Sequence, residues 1–259
     1  MRPAISNDLR HAPRRAAAAF TLLEMIVVIG IIGIMAALAL PSLRMNKGNV
    51  MIAATRQMTD DLALARLRAI NGRTKVYVVF FPSQSVFGLT PAQTNFFVTN
   101  QAANQIMGAQ FSTYALFTFH SVGDQPGQTN ARYLTEWKTL PEGVFIATNA
   151  FADPNVFLNL VGTDPFQVPY VSTNPMFPVL FLPYIAFDSQ GKLLNRTADV
   201  RIPLTVGSIF VSKDSTGNTN VCQDPDVVET PPGNSTNNYN RIVINWLTGR
   251  TKIERPELP

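Results

Sequence analysis

Residues 20–40 read FTLLEMIVVIGIIGIMAALAL, and Pro41 follows directly. Within these 21 residues Glu24 is the one charged side chain. At about 1.5 Å per residue the run reaches roughly 31 Å as a helix, the thickness of a bilayer core. The pattern predicts a membrane-spanning helix over 20–41. A carboxylate so close to the start of an apolar helix is costly in lipid, which makes Glu24 a functional candidate. Gly33 and Ala37 lie four apart and allow close helix approach. Pro41 removes a helical N–H and bends a helix that continues past the apolar run.

Upstream, residues 1–19 carry Arg2, Arg10, Arg14 and Arg15 against Asp8, a net +3. The whole chain of 259 residues is formally +4, so the remainder holds only +1. The basic balance therefore belongs to the leader, which the positive-inside rule keeps in the cytoplasm. The run Ala16-Ala17-Ala18-Ala19 lies before the apolar segment. A conventional signal peptidase cuts after such a segment, so an ordinary secretory signal does not fit. An uncleaved anchor remains the plain alternative.

Arg14-Arg15, a small-residue run, then Phe20-Thr21-Leu22-Leu23-Glu24 and an apolar stretch resembles the signature of type IV pilins and pseudopilins. The resemblance implies that a membrane-embedded prepilin peptidase cuts between Ala19 and Phe20 and N-methylates Phe20. Glu24 becomes the fifth residue of the mature chain, where it pairs with a neighbouring subunit's amino terminus. Pro41 falls where pilins carry their helix-bending proline, and the segment Gly33–Pro41 unwinds in part on assembly. The family usually has glycine before the cut, where this chain has Ala19. The implied partners are the peptidase, other pilin subunits and an inner-membrane assembly platform. The implied place is the bacterial inner membrane, with the body outside the cytoplasm, and then a filament.

Downstream, Met51, Ala54, Met58, Leu62, Ala65 and Ala69 recur at spacings of three and four. That is one face of an amphipathic helix over 42–73, with Arg56, Asp60, Asp61, Arg66 and Arg68 on its wetter sides and Asn71-Gly72 at its end. We read it as the second half of one long helix. The period then changes. Strands are expected at Lys75–Phe81, at Phe111–Phe119 (half-buried), at Tyr133–Leu140 and at Gly143–Ala147 with Pro141-Glu142 between them. Further strands fall at Tyr184–Asp188 and over Val200–Ser212, the latter broken at Pro203 and Gly207. Arg241–Leu247 and Arg250–Glu254 flank the hairpin signal Thr248-Gly249. A long helix followed by antiparallel strands is an α+β fold, with a β-rich body over 74–259. Long loops are expected at 82–110, 150–183 and 213–238.

The segments ALARLRAINGRTKVYV, IAFDSQGKL and IVINWLTGRTKI resemble the GspH/FimT branch of minor pseudopilins. That branch implies a structural subunit of a type IV pilus or a type II secretion-like filament. Its DNA-uptake members carry a basic turn that Gly249-Arg250-Thr251-Lys252 resembles. Arg250 and Lys252 are thus candidate DNA contacts, with Arg241 and Arg255 nearby, against a body of net +1.

Catalysis has little support. The two histidines, His11 and His120, are far apart in the chain, and no nucleophile elbow, phosphate loop, dinucleotide fingerprint or metal-binding His pair occurs. No enzyme activity, cofactor or metal is expected. Asp214, Asn218, Asn220, Asp224 and Asp226 offer oxygens but fit no defined calcium spacing. The single cysteine, Cys222, excludes an internal disulfide and reads as an incidental thiol.

Overall fold

The computed structural model describes residues 21–43, 47–83, 90–120, 123–125, 130–158, 168–169, 179–220, 223–237 and 240–255. The chain divides into two compact units, Met1–Met45 and Asn46–Pro259. The first holds helix α1 (Leu22–Leu43), whose described side chains all face open space. The join between α1 and the next helix falls at 44–46, outside the described residues, as does the reading of one continuous helix. Among the described residues no helix is long and apolar enough to cross a membrane.

The second unit is α+β. Helix α2 (Lys47–Gly72) leads into β1 (Val76–Phe81). Then come α3 (Pro91–Thr99), α4 (Gln101–Met107), β2 (Thr113–Thr118), β3 (Arg132–Tyr133), β4 (Lys138–Thr139) and β5 (Val144–Ile146). The remaining strands are β6 (Val168–Pro169), β7 (Val179–Leu180), β8 (Tyr184–Phe187), β9 (Val200–Phe210) and β10 (Asp226–Glu229). A short α5 (Asn234–Asn237) precedes β11 (Asn240–Ile244) and β12 (Thr251–Glu254). All described pairings are antiparallel. One sheet runs β3-β2-β1-β8, with β4 also on β2; the other runs β10-β9-β11-β12, with β5 also on β9.

Helix α2 joins the two sheets. The expected apolar face is buried at every position, from Met51 to Ala69. It shares one core with Val76, Val78, Phe80, Leu116 and Ile185 of the first sheet, and with Ile202, Leu204, Ile242 and Ile244 of the second. Full burial of each large side chain contributes about 1.5–3 kcal/mol, which is what holds a helix of middling propensity in place. One helix residue departs from expectation. Asp61 is buried, accepts from Tyr114 Oη at 2.7 Å and pairs with Lys138 Nζ at 2.5 Å. Gln57 donates to the same phenol oxygen at 3.2 Å and to Thr139 O at 3.1 Å.

The first sheet is covered on both faces, so β1 and β2 are buried at every position rather than half-buried. Residues 91–107, expected as loop, form α3 and α4 and supply that cover. Thr90 starts α3 with a capping box, and Asn100 both ends α3 and caps α4. Phe97, Ala103 and Met107 pack on Tyr77, Val79, Phe81, Ala115 and Phe117. The other two expected loops also hold structure. A 3-10 turn (Thr148–Ala152) and the β6-β7 pair mark the middle one, and β10 and α5 the last. Both reach the helical cover. Gln93 of α3 donates to Val179 O at 3.1 Å, and the Asn104 carboxamide of α4 brackets Thr219, accepting from its N–H at 2.9 Å and donating to its carbonyl at 3.2 Å.

Three strand expectations change. β9 runs unbroken through Pro203 and Gly207. A Cβ at Gly207 would overlap the Val228 carbonyl oxygen, so this glycine admits β10 rather than ending the strand. Tyr133–Leu140 splits into β3 and β4, because Thr135 Oγ1 takes the Leu116 N–H at 3.0 Å in place of a backbone carbonyl. The Pro141-Glu142 turn carries the chain from one sheet to the other, since β4 pairs β2 and β5 pairs β9.

Candidate functional site

Helix α1 starts at Leu22 because Thr21 caps it: Glu24 N–H donates to Thr21 Oγ1 at 3.2 Å and Met25 N–H to Thr21 O at 3.2 Å. Glu24 thus stands in the first turn, where the unpaired N–H groups of a helix favour a carboxylate. Large apolar side chains are exposed all round this helix, among them Leu22 at 78%, Ile29 at 67% and Met35 at 65%. A helix apolar on every side is stable only inside lipid or among other helices. Nothing lies within 4 Å of a Cβ built at Gly33. Pro41 is inside the helix, which ends two residues later at Leu43. Ala19 and Phe20 lie outside the described residues.

At the other end of the chain, the link between β11 and β12 is not a two-residue turn. It spans Asn245–Arg250, closed by Asn245 N–H to Arg250 O at 2.9 Å and Gly249 N–H to Asn245 O at 2.8 Å. The three segments set apart in the sequence meet here. Arg66 Nε of α2 donates to Thr248 O at 2.7 Å, and Leu193 N–H donates to Trp246 O at 2.9 Å. Gly249, at φ +62°, lies so close to the 188–192 turn that a Cβ would overlap Gly191 O. Asp199 Oδ1 accepts from Asn245 Nδ2 and Trp246 N–H, both at 3.1 Å. The junction is a structural knot. Arg250 is exposed beside it, whereas Lys252 pairs with Glu254 at 2.6 Å. Glu254 is held below its usual range by Lys252, first through that hydrogen bond and then by charge, with Arg201 and Arg241 adding to it.

Residues 14–40 match the family model described as the prokaryotic N-terminal methylation motif. The chain carries a type IV pilin-like prepilin signal. No curated protein and no solved structure matches it. The signal covers Ala19, Phe20, Glu24 and Gly33, and stops one residue before Pro41.

The other candidate residues belong to the second unit. Asp214 Oδ1 accepts from Thr216 N–H, Thr216 Oγ1 and Asn218 N–H, which lowers its proton affinity and engages it within its own turn. Asp226 belongs to β10, and Cys222 lies outside the described residues. Among the described residues no three His, Cys, Asp or Glu side chains gather as a metal site. His120 stands on the wall of an open cleft of about 540 Å³ with Arg73, Lys75, Tyr77, Phe119 and Asp188. Sequence reading missed this cleft, since its walls come from stretches more than forty residues apart.

Proposed function

We propose that this chain is a minor pilin or pseudopilin, a structural subunit of a type IV pilus or type II secretion-like filament. The observation that carries the reading is the prepilin signal joined to a helix with apolar side chains exposed on every side. A prepilin peptidase removes residues 1–19 at Ala19–Phe20 and methylates Phe20. Before assembly the subunit rests in the inner membrane through residues 20–41, with its body on the far side. An assembly platform then draws it into a filament. Close helix packing, and release of the Glu24 carboxylate from lipid into a charge pair, favour that step.

Glu24 supplies register. A carboxylate among packed helices is costly alone and tolerable when paired with the positive amino terminus of a neighbour. Like a lone polar residue in a coiled coil, it selects one axial offset. Gly33 allows close helix approach, and Pro41 weakens the helix where it leaves the apolar run. The body is α+β with antiparallel sheets, which is compatible with a GspH/FimT-like subunit, and a two-helix cover lies over its first sheet. The hairpin gives less support to a DNA-uptake role, because Glu254 already neutralises Lys252 beside Arg250.

The test is Glu24→Ala expressed in the source cells, with the sheared filament fraction probed for the subunit. The expected result is normal removal of the leader and loss of the subunit from the sheared fraction. Incorporation equal to wild type would refute the charge-pairing role, and absence of the wild-type subunit itself from the sheared fraction would favour a plain membrane anchor.

A further inference from the structure

The cleft at the carboxy-terminal end of α2 has a composition that neither the prepilin signal nor the filament helix explains. Arg73, Lys75, Tyr77, Phe119, His120 and Asp188 stand around a space of about 540 Å³, enough for one peptide side chain with its neighbours. Arg73 and Lys75 are exposed, and neither has an ion-pair partner among the described residues. Thr118 Oγ1 lies 2.9 Å from both Lys75 O and His120 O, which ties the strand start bearing Lys75 to the strand end bearing His120. Tyr77 and Phe119 meet edge to face at 5.7 Å and give the cleft an aromatic wall.

Two local negative features are already engaged. The Asp188 carboxylate accepts from Gln190 N–H at 2.8 Å and Lys192 N–H at 2.9 Å. The last-turn carbonyls of α2 are taken as well, Ile70 O by Arg73 N–H and Ala69 O by Thr74 N–H. The backbone at Arg73 is the unusual part. It adopts φ +47°, left-handed, at the position after a helix where glycine is the ordinary choice. Glycine in fact precedes it, at Gly72. A long cation is held where the fold would prefer glycine, and it is held at the mouth of a cleft.

We propose that this cleft binds an acidic peptide segment, a carboxylate flanked by an apolar side chain, presented by a partner protein. Arg73 and Lys75 take the carboxylate through charge-assisted hydrogen bonds, and the aromatic wall takes the apolar neighbour. A nucleic-acid strand fits less well. It needs a track of cations along a groove, whereas here the cations are confined to one cleft, in a body of net +1.

The experiment uses the full-length protein in detergent micelles and a dye-labelled pentapeptide alternating phenylalanine and glutamate, read by fluorescence anisotropy. Its twin carries glutamine in place of glutamate, and a labelled oligothymidylate is run in parallel. The glutamate peptide should bind at least about tenfold tighter than the glutamine twin. Arg73→Gly and Lys75→Gln should each weaken it several-fold, and together remove the preference. Arg73→Gly is the cleaner variant, because glycine adopts φ +47° freely and the fold is not put at risk. Equal or absent binding of the two peptides would overturn the proposal. So would undiminished binding by the double variant, or tighter binding of oligothymidylate than of the glutamate peptide.

Discussion

Gly249 shows most clearly how a single residue holds the body together. Its left-handed backbone lets the β11-β12 link lie on the 188–192 turn, with Arg66 of α2 hydrogen-bonded one residue away. Alanine there meets both a backbone conformation it disfavours and the Gly191 carbonyl. Gly249→Ala should cost on the order of 3 kcal/mol, read as a lowered urea midpoint with unchanged m-value. A midpoint within error of wild type would mean that the link moves away at little cost. Other residues at this scale were hidden from sequence. Asp61 looked like a solvated helix acid, because its partners Tyr114 and Lys138 come from 53 and 77 residues further on. Glycine was the obvious helix terminator, yet the left-handed position fell to Arg73.

Elements with a strict period were legible, and elements made by tertiary cover were not. The face of α2 follows from spacing alone, and β1 and β8 from runs of β-branched and aromatic residues. The break expected in β9 failed, because Gly207 was read as a strand-breaker when its missing Cβ makes room for β10. The helices α3 and α4 failed for a different reason. Their Asn, Gln and Thr content resembles loop, and the few apolar residues that fix them, such as Phe97 and Met107, matter only once the first sheet's outer face is known. Asn104 is the clasp between this cover and the 213–220 turn. Asn104→Ala leaves the Thr219 backbone without its partners and should cost about 1–3 kcal/mol locally. Hydrogen exchange should quicken at Thr219 and along α4 while α2 keeps its protection. Faster exchange in α2 as well would show that cover and core unfold as one.

For the whole molecule, burial of phenols sets an alkaline limit on stability. Burial raises Tyr77, Tyr114 and Tyr133 above the ordinary tyrosine value, and Asp61 raises Tyr114 further. Below about pH 10 both folded and unfolded phenols hold their protons, so the stabilisation is fully present. Above it the unfolded chain ionises while the folded one does not. Stability should then fall with pH, the slope approaching about 1.4 kcal/mol per pH unit for each phenol that stays protonated in the folded chain, Tyr114 and Tyr133 foremost. Urea midpoints taken from about pH 9 to about pH 11 would measure this, and Tyr114→Phe should flatten the slope. An equal slope in that variant would show that Tyr114 ionises as readily folded as unfolded. The amino-terminal unit obeys different physics. Its signal is legible in sequence because a peptidase reads it as a linear string, independent of the body's fold.

That string is the centre of the account, and its processing is the direct test. The protein is co-expressed with a prepilin peptidase, beside an inactive-peptidase control, and its intact mass is measured. The account predicts loss of residues 1–19 and one added methyl group, located on Phe20 by fragmentation. A chain left uncut at Ala19, by a peptidase that cleaves a glycine-containing control substrate in the same cells, would contradict it.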